Sequence, residues 1–253
     1  MIYDIIKANL NLTAVLQNLE DLVQFDDDMA ALTKHWDTSL QFTVFRGPKA
    51  FVRFKNGRCR VQQGNHSNPS LKLFFFSPAH LNRMFAGNGT PIPLKGFTKL
   101  KFLIKEFSKL TDKLEYYLTP SDKRLQVTKY LELNTRFTLN TAVFAVKELV
   151  RLDPIAKTVA SHIGNGRMLI KIMPHGPSIH LDFQNGDVFV KKGDTVRPMA
   201  CIFMQNVRVA NDFLNGKLDA FTAIASGNVL IKGQIPMIDS ISLILDRIPL
   251  YLK

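Results

Sequence analysis

Cysteine is nearly absent from this sequence: Cys59 and Cys201 are the only two in 253 residues. They stand far apart and outside any Cys-x-x-Cys or Cys/His cluster, which excludes a disulfide framework and a zinc site, so two reduced, buried thiols are expected. No apolar run approaches the roughly 18–20 residues of a membrane-crossing helix. The opening Met1-Ile2-Tyr3-Asp4 lacks the basic, then apolar, then small-residue order of an export leader. A soluble, cytoplasmic protein is expected.

The glycine patterns of phosphate loops and dinucleotide sites are missing, as is the Gly-x-Ser-x-Gly of a nucleophile elbow. None of the six histidines sits in a metal-ligand spacing. His175 and His180 flank one turn without a paired carboxylate, and His35 and His162 suggest a structural role. No catalytic residue, metal or cofactor is therefore assigned. Acidic residues are few, 21 against 33 Lys and Arg, and the +12 excess is shared by both halves of the chain. Such a charge favours anionic partners: phosphate-bearing ligands, acidic membrane surfaces or nucleic acid. The one acidic run, Asp26-Asp27-Asp28, precedes Met29, Leu32 and Trp36 at helical spacing and reads as an N-cap.

What is present is length enough for two domains and a repeat of domain size. Gly47-Pro48, Phe54, Asn56-Gly57, Val61, Gly64, Pro69 and Phe74 reappear in order as Gly176-Pro177, Phe183, Asn185-Gly186, Val190, Gly193, Pro198 and Phe203. Upstream, Leu12, Leu22-Val23, Asp26 and His35 match Leu139, Leu149-Val150, Asp153 and His162. Downstream, Asn82, Gly87 and Lys95-Gly96 match Asn211, Gly216 and Lys232-Gly233, with the first copy shorter between its last two matches. Pro120 and its polar neighbours place the boundary, giving domains 1–120 and 121–253.

Each copy opens with apolar residues at spacings of three and four, as in Leu139, Val143, Val146, Leu149 and Val150, and a second short helix follows around Ile155 to Ile163. The period then falls to two over Met168–Met173, Ser178–Phe183, Val188–Val190 and Ala200–Met204, which predicts a four-strand meander. Asn56-Gly57 and Asn185-Gly186 suit tight hairpins, since both positions need positive φ. A helix around Val209, Phe213 and Leu214 follows, then a short segment with Phe221 and Ile224. A fifth strand, Val229–Lys232, leads to a last helix of Ile238, Ile241, Leu245 and Ile248 that Pro249 should end.

The stretch Leu214-Asn215-Gly216-Lys217-Leu218-Asp219 through Ala223, Ser226-Gly227 and Gly233 resembles the L-x-G-K-L-x…A-x-x-S-G-x-x-x-x-x-G segment of the sterol carrier protein type 2 family. Phe183-Gln184-Asn185-Gly186 is similar to that family's central hairpin, so the resemblance spans the second copy. The first copy, with Phe85-Ala86-Gly87-Asn88-Gly89-Thr90, lacks the Lys-Leu-Asp helix and the Ser-Gly, and joins through the internal repeat. The resemblance implies an α+β chain of two tandem sterol-carrier-like domains, each a mainly antiparallel five-stranded sheet covered by helices. It also implies non-catalytic binding or transfer of a fatty acyl, acyl-CoA, sterol-like or isoprenoid ligand in an apolar tunnel between sheet and helices. The alternative within the family is a scaffold or dimerisation domain that presents a lipophilic substrate to a partner enzyme.

On that reading the tunnel is lined by Phe203, Phe213, Leu214, Phe221, Ile224, Ile231, Met237, Ile238, Ile241 and Leu245. The first copy's cluster of Phe74, Phe75, Phe76, Phe85, Phe97, Phe102 and Phe107 would help wall a cavity there, against the plainer reading of packed core. A helix is predicted from Phe97 to Leu118, with Phe97, Leu100, Leu103, Ile104, Phe107, Leu110, Leu114 and Leu118 on one stripe. Lys101, Lys105, Lys109 and Lys113 recur every four residues beside it, a rail suited to an acidic membrane surface or other anionic headgroup, or simply a solvated face. Nucleic acid is disfavoured as a partner because the aromatics follow the apolar stripe and are not interleaved with exposed cations. Oligomeric state is not legible.

Overall fold

The computed structural model describes residues 2–252 and divides into two units, residues 2–119 and 120–251. In the first, α1 (Ile2–Leu10) passes through a π turn (Asn11–Val15) into α2 (Asn18–Phe25), and α3 (Asp27–Thr33) follows. Then come β1 (Thr38–Val44), β2 (Lys49–Lys55), β3 (Arg58–Gln63), β4 (Leu71–Phe75), α4 (Pro78–Phe85) and β5 (Ile92–Lys95). The unit ends with α5 (Leu100–Phe102) and α6 (Ser108–Leu118). The second unit has α7 (Thr128–Leu152), α8 (Pro154–Ala160), β6 (Gly166–Ile172), β7 (Ser178–Gln184), β8 (Asp187–Lys192) and β9 (Ala200–Met204). It closes with α9 (Val207–Leu214), α10 (Ala220–Ala225), β10 (Val229–Gly233) and α11 (Ile235–Leu245). Among the described residues no helix is long and apolar enough to cross a membrane.

Each sheet has five strands in one topology, β3-β2-β1-β4-β5 and β8-β7-β6-β9-β10, so this is an α+β fold in two copies. All pairings are antiparallel except β1–β4 and β6–β9, which are parallel. The expected four-strand meander is thereby corrected: three strands meander, and the fourth returns beside the first. Alternation identifies a strand and its buried face, but not its neighbour. The return in the second unit is fastened across the sheet's outer face. His180 Nδ1 lies 3.0 Å from Gly193 O, Lys171 Nζ 2.7 Å from Asp194, and Arg167 donates to Val196 O.

Register explains the core. Leu40, Phe42 and Val44 stand beside Leu71, Leu73 and Phe75 on one face of the first sheet, and Met168, Ile170 and Ile172 beside Ala200, Ile202 and Met204 in the second, all buried. Both Asn-Gly hairpins form with positive φ at Asn56, Gly57, Asn185 and Gly186. The first copy's shorter stretch after α4 is the absence of an α10 counterpart before β5.

The single helix predicted for 97–118 is also corrected. A 3-10 turn (Phe97–Lys99) and a π turn (Leu103–Phe107) interrupt it, and the extra residue per π turn rotates the stripe. Phe107, Leu110, Leu114 and Tyr117 are buried, whereas Ile104 is 70% exposed and Phe97 is exposed too. The phenylalanine cluster is likewise divided: Phe75 is core, Trp36 meets Phe54 and Phe102 edge-on, and Phe76 is exposed.

Candidate functional site

Strand pairing separates residues that the sequence had grouped. Leu230 lies directly opposite Phe203 and Ile231 opposite Ile202, so Phe203 and Ile231 occupy opposite faces of the second sheet. Ile231 shares the helix-covered face with Ile202 and Met204. Phe203 faces outward, where Lys232 sits over its ring at 5.9 Å. A lining on the sheet's helix side therefore includes Ile231 and leaves out Phe203.

The helices sort the remaining expected residues. Asn206 caps α9 by accepting from Val209 N, and the buried Asn211 side chain donates to Asn134 and Thr135 of α7, which pins α9 down. Phe213 and Leu214 at its end are half-buried. Pro236 starts α11, whose inner face buries Met237, Ile238 and Ile241 (4%, 5% and 1% exposed), with Leu245 half-buried. These three are core side chains. Between the two helices, α10 is capped by Asp219, which accepts from Thr222 N at 2.9 Å. The Thr222 hydroxyl and, after it, the Thr222 amide hold the carboxyl below its usual range.

α10 meets the body of the unit at β10 and buries only Ala223. Phe221 is 83% exposed, and Ile224 and the following Ile235 of α11 are exposed as well. Phe221 thus lines nothing enclosed in this conformation, contrary to its expected place. Exposed Ile235 went unnoticed in the sequence, since a Gln-Ile-Pro start to a helix does not reveal which side faces water.

Two repeat-equivalent carboxylates are buried at helix starts: Asp26, which the sequence marks as part of an N-cap, before α3, and Asp153 before α8. Asp153 Oδ1 accepts from Ile155 N and Ala156 N at 2.9 Å each and from Arg247 Nε at 2.8 Å, and its Oδ2 accepts from Tyr251 Oη at 2.6 Å. Asp26 repeats the arrangement: it accepts from Met29 N at 3.0 Å and Tyr117 Oη at 2.8 Å, with Lys113 Nζ at 3.5 Å. Burial pushes Asp153 up, but Arg247, Tyr251 and the Ala156 amide outweigh it and hold the carboxyl below the ordinary range. Burial and the same carboxylate push the Tyr251 hydroxyl up.

Lys113 also pairs with Asp28 at 3.2 Å, so it belongs to this clasp and leaves the lysine rail. Lys101, Lys105 and Lys109 remain exposed, the last beside Glu106 at 3.3 Å. Cys59 and Cys201 are buried, and burial raises the Cys201 thiol. His35 and His162 are exposed.

One open groove of about 850 Å³ lies at the β6–β7 end of the second sheet, between Asn165, Arg167, Asp182, Gln184, Arg197 and Met199. Arg167 and Asp182 pair across it at 3.4 Å. It contains none of the ten residues expected to line a tunnel.

The geometry can be set beside known proteins. Residues 146–246 match the SCP-2 sterol transfer family model. A solved UbiJ-SCP2 ubiquinone synthesis protein is 19% identical over 43% of this chain and 92% of its own, with a TM-score of 0.34. Sterol Carrier Protein 2 from Yarrowia lipolytica, in its apo form, is 19% identical over 40% of this chain and 84% of its own (TM-score 0.31). The sterol carrier protein domain 2 of Helicoverpa armigera is 15% identical over 51% and 92% (TM-score 0.33). No curated protein matches the chain. The matched region, residues 146–246, contains the family pattern at 214–233 and the whole five-stranded sheet of the second unit, so this stretch of the chain is similar to the SCP-2 sterol transfer family.

Proposed function

We propose that the second unit binds and carries a lipid, without catalysis, at the apolar surface formed by α9, α10, β10 and α11. The observation that carries this reading is the exposed apolar side of α10, Phe221 and Ile224, inside the residues that match a sterol transfer family. Large apolar side chains left in water mark a surface that something covers. An acyl, sterol-like or isoprenoid ligand seated under α10, against Phe213, Leu214 and Ile231, would take those side chains out of water. Each CH₂ it buried would contribute about 0.8 kcal/mol. No charged group is needed for this.

The test is native mass spectrometry of gently purified protein, followed by lipid extraction. Phe221→Asp should lose the bound lipid, and once both proteins are delipidated it should melt at the same temperature as wild type, because the side chain supports no core. Undiminished lipid in that variant would remove α10 from the site. Ile241→Ala behaves differently: at a fully packed position it should cost about 2–5 kcal/mol of stability.

The close packing of Met237, Ile238 and Ile241 favours a second reading, a scaffold whose exposed apolar residues seat a partner protein. Wild-type protein that leaves cells free of lipid would support it.

A further inference from the structure

Between Thr38 and Lys105 the chain has twelve Lys and Arg and no Asp or Glu, a surplus equal to the net charge of the whole protein. Strand register concentrates part of it on the outer face of the first sheet, the face away from Leu40, Phe42 and Phe75. There Arg53 lies directly opposite Arg60 and Lys55 directly opposite Arg58. On the far side of the sheet Lys72 is opposite Lys95, whose Nζ donates to Asn68. Like charges directly opposite one another destabilise a sheet. Arg53, Lys55, Arg58 and Arg60 are all exposed, and among the described residues no ion pair relieves them.

The repeat supplies an internal comparison. The positions equivalent to Arg53, Lys55, Arg58 and Arg60 are Asp182, Gln184, Asp187 and Phe189, paired as Asp182–Phe189 and Gln184–Asp187. Asp182 also receives Arg167. The fold therefore does not require cations at this corner, and the first copy retains four of them at a cost to its own stability. An anionic partner would offset that cost.

We propose that the outer face of the first sheet docks on the acidic phospholipid surface of a membrane. Its charges span the sheet from β3 to β5, four inter-strand steps or about 19 Å, which suits a planar array of headgroups better than a single phosphate. The two half-buried rings on this face are already engaged, Phe51 by His66 edge-on at 5.0 Å and Phe74 by the exposed Phe76 at 5.6 Å. Nucleic acid would call for open rings on which bases stack. The inference goes beyond the carrier reading of the second unit and does not require it.

Sedimentation of the full chain with vesicles tests it, using phosphatidylcholine alone and phosphatidylcholine mixed with phosphatidylserine. Wild-type protein should bind only the acidic vesicles, and less as salt rises. The double variant Arg53→Asp, Arg58→Asp adopts the second copy's residues and turns two like-charge pairs into opposite-charge pairs. It should lose about tenfold or more of this binding, with an unchanged or higher melting temperature and its co-purified lipid intact. A second variant, Lys157→Glu with Lys191→Glu, makes the same change in net charge elsewhere and should bind as wild type does. Equal loss in both variants, unchanged vesicle binding in the first, or loss by the first of single-stranded RNA binding alone would each overturn the proposal.

Discussion

Asp153 does two jobs with one side chain. Its carboxylate completes the amide ends of α8 and clasps Arg247 and Tyr251 at the end of the chain, and Asp26 does the same for Lys113 and Tyr117. Asp153→Ala removes the cap and leaves a largely buried guanidinium and phenol without their acceptor. A loss of about 3–5 kcal/mol from the second unit is expected, read by urea unfolding. Tyr251→Phe should cost about 1 kcal/mol. The pH dependence follows in sign: the folded carboxyl of Asp153 titrates below its unfolded value of about 3.9. Its contribution is therefore present above that value and disappears as pH falls through the lowered one, and an Asp153→Asn variant should show less of this acid sensitivity. The cap at Asp26 was legible in the sequence, because a carboxylate before a helical pattern has a local meaning. The clasp was not, although Lys113–Tyr117 and Arg247–Tyr251 share a four-residue spacing, since nothing local says where the end of the last helix lands.

Strands and helices obey their periods but not always the groupings drawn from them. Phe203 and Ile231 both lie in good strands, and only the β9–β10 register sends them to opposite faces. The stripe of 97–118 was sound for Phe107, Leu110 and Leu114 and failed at Ile104, where a π turn shifts the phase. Gly96 and Gly233, matched in the repeat, turn out to be points of close approach. A Cβ on Gly233 would sit 2.0 Å from Met199 O at φ +87°, and one on Gly96 2.3 Å from Ser70 O at φ +85°. Gly233→Ala should accordingly destabilise the junction of β10 and α11 by about 2 kcal/mol or more. Faster amide exchange in β10 than in β6 would report it, while Gly227→Ala, where a Cβ meets nothing, should be milder.

Across the whole molecule the two copies have diverged in opposite directions. The second retains α10 and the family pattern, with its charges partly paired, whereas the first has lost that helix and carries an acid-free stretch from 38 to 105. Because each unit has its own sheet and buried core, residues 120–253 expressed alone should unfold cooperatively in urea and keep any lipid that the full chain holds. A fragment that bound lipid without binding acidic vesicles would assign carrying and docking to separate copies.

By itself the sequence determined the duplication, the five strands of the second copy, the hairpin turns and the cap at Asp26. These depend on residues near one another in the chain, whose periods and backbone preferences act locally. Tertiary structure decided which strand lies beside which, and hence which face each apolar side chain occupies. It also decided what Asp26 and Asp153 hold, and that Arg53, Lys55, Arg58 and Arg60 confront one another. Each of those outcomes depends on contacts between distant segments, and such contacts leave no period in the chain that makes them.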